Sequence, residues 1–180
     1  MKTLTRVFSG LAASAATAAV VTVAGLATAQ AQTDYSNLPV HPNDSTDSAA
    51  WVEGSPTLNP GNQTGVETTF THRDGTRSIT DRVQVFDNPQ AAQAAAANND
   101  TGEPVANPFT RNVPVGEGGT LTTGSTPDGT SSVGVLKFTT GNALTTVKFQ
   151  GPPGDTVPED VAVQYGQSQH AANQQLMAGS

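Results

Sequence analysis

The chain has 180 residues, a formal charge of −7 and no cysteine. The missing cysteines exclude disulfide staples, thiolate metal sites and thiol nucleophiles. An acidic balance without a basic cluster argues against nucleic acid or an anionic membrane surface as partner, since both require a cationic footprint.

Lys2 and Arg6, an apolar stretch from Leu11 to Ala29, and the small-residue box Ala27-Thr28-Ala29-Gln30-Ala31 form the three parts of a secretory leader. Cuts after Ala29 and after Ala31 both satisfy the A-x-A rule, and the second places Ala29 at −3. The alternative, a retained anchor, suits this stretch poorly: it is mostly Ala, interrupted by Ser14, Thr17, Thr22, Gly25 and Thr28. No cysteine follows for lipidation, and no paired arginine precedes the stretch. The expected organisation is a signal peptide over 1–31, an irregular polar arm over 32–64 and one α+β domain over 65–180. Removal of Lys2 and Arg6 would take the charge from −7 to −9, which suits a soluble exported protein with no membrane span after processing.

The arm shows neither helical nor strand periodicity, apart from a helical turn expected near Ser48–Val52. Trp51, the single tryptophan, reads first as an anchor pinning the arm to the core and second as a wall of a ligand groove. Val66–Thr71 and Thr76–Phe86 read as strands joined through Asp74-Gly75, a tight-turn pair. Ile79, Val83 and Val85 share one face of the second strand. Asp81 falls among them, which suggests a sheet edge or a bend. Asp87-Asn88-Pro89 opens a helix running to about Asn98, with a capping side chain and Pro in the first turn.

Residues 100–112 read as a loop. Gly116-Glu117-Gly118-Gly119 lacks Lys and matches neither the dinucleotide fingerprint nor the P-loop, so it reads as a bend feeding a strand at Thr120–Thr123. Ser132–Thr140 and Ala143–Gln150 flank Gly141-Asn142, a clear hairpin signal. Thr156-Val157-Pro158-Glu159 reads as a capping box before a final helix reaching about Met177. Val161, Tyr165, Ala172 and Leu176 are its expected core stripe. The order ββαβββα implies an antiparallel sheet with two helices packed on one face.

His41, His72 and His170 have no metal-ligand spacing and read as surface residues. There is no G-x-S-x-G, and Asp81, Asp87, Glu103 and Glu117 form no restricted carboxylate pair. No cofactor, metal or catalytic residue is therefore expected. The weak ligand-surface candidates are Trp51 and Phe109, beside the sheet face opposite the helices.

The leader, the polar arm, the helix opened by "FDNPQAAQAA", "VGEGG", the hairpin "VGVLKFTTGNALTTVKF" and the closing "DTVPEDVAVQYGQSQHAANQQL" resemble small exported mycobacterial and other actinobacterial proteins of unassigned role. Over about residues 66–177 the ordering is also similar to PsbP-like mycobacterial lipoproteins and to the sensor ectodomains of actinobacterial membrane kinases. The chain lacks the lipidated cysteine of the first group and the disulfide cysteines of the second. The resemblance carries over no functional residue, because no motif position matches. It implies an actinobacterial, secreted, non-enzymatic binding or interaction protein of the envelope or culture medium. Its partner would be an unknown protein, lipid or glycan of the envelope. A secreted hydrolase of unrecognised type and a structural envelope protein are the alternatives.

Overall fold

The computed structural model describes residues 34–45, 49–98 and 104–178. The leader, with its cuts after Ala29 and Ala31, and Glu103 lie outside the described residues. Thr33–Ser180 forms one compact unit, so the arm is part of the domain body.

The arm contains a helical turn, α1 (Pro42–Ser45), and two short strands, β1 (Trp51–Glu53) and β2 (Thr57–Leu58). The helical turn thus precedes its expected place, and Trp51 starts a strand instead. The body follows as β3 (Gly65–His72), β4 (Ser78–Val85), α2 (Pro89–Ala97), β5 (Ala106–Asn112), β6 (Glu117–Ser125), β7 (Ser132–Thr140), β8 (Ala143–Gly151) and α3 (Glu159–Ala178). The eight strands form one antiparallel sheet of order β1-β3-β4-β8-β7-β6-β5, with β2 also pairing on β3.

Turn chemistry fixes the register. Gly75 and Gly141 take positive φ (73° and 54°), and Asp74 Oδ1 accepts from the Thr76 amide at 2.8 Å. The Asn142 side chain donates to the Phe86 carbonyl at 2.7 Å, tying the β7–β8 turn to the end of β4. Asn88 caps α2 by accepting from the Ala91 amide at 2.9 Å. The expected capping box of α3 is replaced by another contact: the Glu159 carboxylate pairs with Arg111 of β5.

The loop expected over 100–112 holds the edge strand β5. Its signal is weak because Pro108 breaks the pattern, Asn107 sits at φ 50° in a bulge, and all but Ala106 are exposed. Proline and bulges are tolerated at edges, where one side of the backbone needs no ladder partner.

The helices do not share a face. Leu136, Phe138, Val147 and Phe149 pack with Ala162 and Tyr165 of α3. Alternation along β7 and β8 sends Lys137 and Leu144 to the other side. There the Lys137 ammonium donates to the Asn98 carbonyl at the end of α2, 3.0 Å away. Val133, Val135 and Leu144 are buried on that side, so the sheet needs cover on both faces. α2 supplies it through Ala92, which is fully buried.

Two glycines mark close approaches. A Cβ on Gly166 would stand 2.5 Å from Leu136 Cδ2 and 2.9 Å from Val115 Cγ1, so glycine lets α3 lie close to the sheet. Gly65 has φ +145° and a Cβ there would lie 2.0 Å from the Val83 carbonyl oxygen. Backbone cannot yield as a side chain does. Gly65→Ala should therefore cost about 3 kcal/mol in urea unfolding; a loss below about 1 kcal/mol would show that the β3–β4 pair relaxes freely.

Candidate functional site

The inner face of β4, beneath α3, is built for apolar contact, yet Asp81 sits in its middle. β4 lies between β3 and β8, so Asp81 marks neither an edge nor a bend, and it is 0% exposed. Its tolerance there comes from α3. Tyr165 Oη stands 2.9 Å from Asp81 Oδ2 and 2.8 Å from the Val40 carbonyl oxygen of the arm. Thr68 is the cross-strand neighbour of Asp81 on β3. Neither Thr68 Oγ1 nor Asp81 Oδ1 has a hydrogen-bond partner among the described residues.

Burial pushes the Asp81 carboxyl up to about 7, opposed by its contact with Tyr165. The Tyr165 phenol is raised well above its ordinary value by burial first, and by the Asp81 charge second.

A chain of amides continues from this point along α3. Gln169 Oε1 accepts from the Val40 amide at 2.7 Å, and its Nε2 donates to the Leu38 carbonyl and to Asn173 Oδ1, both at 3.0 Å. Asn173 Nδ2 donates to Thr145 Oγ1 on β8 at 2.8 Å. Gln164 Nε2 donates to the Ser45 carbonyl at 2.9 Å. Buried polar groups must be paired, and here the pairs fasten the arm to the final helix. The buried stripe of α3 is Ala162, Tyr165, Gly166, Gln169 and Asn173; of the expected stripe, Val161 is exposed and Leu176 only partly buried.

The fastened arm forms one wall of a cleft of about 470 Å³. Tyr35, Val85, Leu176 and Met177 provide apolar surface, and Asp87, Asn88 and Asn142 provide polar groups. Four separated segments thus converge: the arm, the start of α2, the β7–β8 turn and the last turn of α3. Sequence reasoning missed this site: Asp87-Asn88-Pro89 and Gly141-Asn142 read only as a helix start and a turn, and nothing local shows that they meet Tyr35 and Met177.

Trp51 and Phe109 do not meet. Trp51 is half-buried on β1, packed on the core and edge-on to His72 at 5.3 Å between ring centroids. Phe109 is 61% exposed on β5, with the Arg111 guanidinium 5.1 Å from its ring. Five strands separate them. Through cross-strand pairing with His72 and Thr123, both side chains fall on the α3 side of the sheet, not opposite the helices.

The histidines are equally dispersed. His41 packs on Phe70, His72 on Trp51, and His170 on Phe138 while sharing a hydrogen bond with Thr140 Oγ1 at 2.7 Å. All three are half-buried, where surface positions were expected. No group of three or more His, Cys, Asp or Glu able to hold a metal occurs among the described residues. Of the carboxylates considered from sequence, Asp87 lines the cleft, Asp81 is buried and Glu117 is exposed at the start of β6. None of the described helices is long and apolar enough to cross a membrane.

The fold is similar to that of the extracellular domain of PknH from Mycobacterium tuberculosis, with a TM-score of 0.51 at 12% sequence identity. The match covers 81% of this chain and 97% of that domain. No protein-family model matches the chain, and no curated protein matches it significantly. The likeness is one of fold, and it agrees with the sequence resemblance to kinase sensor ectodomains.

Proposed function

We propose that the chain is an exported, non-catalytic binding module whose ligand site is the cleft between the arm, α2 and the end of α3. The observation that carries this reading is the make-up of the cleft: an apolar wall of Tyr35, Val85, Leu176 and Met177 faces hydrogen-bonding groups on Asn88 and Asn142. Such a surface suits a ligand with an apolar body and neutral polar groups, as in an envelope lipid or glycolipid. Asp87 at its rim disfavours anions. The leader-like pattern of residues 1–31 supports export, and the fold shared with an extracellular domain fits that setting.

The hydrolase alternative has no specific observation in its favour. The three histidines stand apart from the cleft, and Asp87 is the one carboxylate among its lining residues.

The test uses native mass spectrometry of the purified chain after incubation with envelope lipid extracts, with Nile red fluorescence as a second readout. Met177→Trp, which fills the cleft, should weaken dye binding about tenfold or more while leaving the circular dichroism unchanged. An adduct and dye affinity indifferent to Met177→Trp would place any binding elsewhere and remove this reading.

A further inference from the structure

The Tyr165 phenol has one proton and two close acceptors. Its oxygen is 2.8 Å from the Val40 carbonyl and 2.9 Å from Asp81 Oδ2. A hydroxyl donates once, and a carbonyl can only accept. Both contacts are hydrogen bonds together only when Asp81 carries a proton and donates it to Tyr165 Oη, which in turn donates to Val40. If Asp81 ionises, its carboxylate becomes a pure acceptor in a buried setting and attracts the phenol proton. The Val40 carbonyl then loses its partner.

We infer that Asp81, Tyr165 and the Val40 carbonyl form a proton-dependent latch on the arm, closed when Asp81 is protonated and loosened when it ionises. Its role as a regulator of ligand binding rests on the cleft being the binding site, since Tyr35 on the same arm forms part of that cleft. The latch itself does not depend on that reading. On opening, the Asp81 proton leaves to solvent and the phenol proton turns from Val40 to Asp81 Oδ2. The arm keeps the Gln169 bonds to Leu38 and Val40, so it loosens without detaching.

Few other ionisable groups adjoin this chain. β3 offers Thr68 and β8 offers Val147 as the residues level with Asp81, and neither ionises. α3 contributes Tyr165. On the arm, His41 follows Val40 directly, with its ring edge-on to Phe70 and Nδ1 accepting from the Asn43 amide at 3.1 Å. His41 therefore requires its own control.

Hydrogen exchange of the arm peptide over residues 34–45, in the full chain and corrected for intrinsic rate, tests the latch. The wild-type chain should protect this peptide about tenfold less at pH 8 than at pH 5, the loss expected for one hydrogen bond. Asp81→Asn, whose amide can donate to Tyr165 permanently, should give equal protection at both pH values. Tyr165→Phe should lower protection at both. His41→Gln should leave the pH dependence in place.

Should either variant fail to fold, carboxyl carbon NMR of the wild-type chain supplies the same decision. The Asp81 midpoint should coincide with the midpoint of arm exchange. Equal wild-type protection at both pH values, pH dependence surviving in Asp81→Asn, or an Asp81 midpoint below pH 5 would each overturn the latch. Nile red affinity separates the two proposals. An intact exchange switch with dye binding unchanged between pH 5 and pH 8 would leave the latch standing and remove its control of the cleft.

Discussion

Between pH 5 and pH 8 the free energy of unfolding should fall by roughly 3 kcal/mol, and Asp81→Asn should abolish most of that fall. The sign follows from where the proton sits. In the unfolded chain Asp81 releases its proton near the ordinary value of 3.8, whereas burial in the native state delays release to about 7. Across that interval the native state binds more protons than the unfolded state, so stability decreases as pH rises. The contribution is fully present below pH 3.8 and gone above about pH 7.

Asp34, Asp74 and Asp128 act in the opposite direction at the acid end. Turn hydrogen bonds to Ser36, Thr76, and Thr126 and Thr130 hold these carboxyls below their ordinary value, so whatever they contribute is lost as pH falls below 3.8. Greatest stability should then lie near pH 4 to 5, on the acid side of the usual neutral range. Urea unfolding at half-unit steps of pH for the wild type and Asp81→Asn measures the difference. A wild-type curve flat from pH 5 to pH 8 would mean that Asp81 ionises without penalty and that the native interior is wetter around it than its burial implies.

Gln169→Leu should cost about 3 kcal/mol or more and expose the arm to proteolysis. The substitution nearly conserves volume and keeps an apolar contact at a buried position. Yet it removes the partner of the Val40 amide, of the Leu38 carbonyl and of Asn173 Oδ1. Leaving buried groups unpaired costs about 1–3 kcal/mol each, more than a hydrogen bond contributes net when both partners exist. Trypsin is ill suited as the probe, since the described arm from Asp34 to Leu58 has no Lys or Arg. Chymotrypsin cleavage at Tyr35 and Trp51 should appear early in the variant and late in the wild type. Equal cleavage rates would show that β1 and β2 hold the arm without help from α3.

Both predictions rest on residues whose distant partners a sequence reading does not supply. Gln169 and Asn173 are fully buried, but glutamine and asparagine on a helix read as solvent-facing, so the expected stripe followed Val161 and Leu176 instead. Asp81 was visible as an acid among apolar neighbours. Its explanation lies 84 positions along the chain in Tyr165, at a distance that no local pattern spans. β5 was missed because an exposed edge strand needs no alternation, and Trp51 and Phe109 were separated by strand order, which spacing does not encode.

The sequence by itself determined the local pieces. Asp74-Gly75 and Gly141-Asn142 set two turns, Asn88-Pro89 started a helix, and alternation marked β4, β7 and β8, because capping and positive φ are satisfied by neighbouring residues. It also determined the antiparallel α+β class and the reliance on a core without disulfides. Only the tertiary structure decided that the helices take opposite faces, that the arm is fastened by α3 and that a cleft forms where four segments meet. Those outcomes depend on which buried polar group finds which distant partner. The free energy of such a pairing exists only once the chain has folded around it.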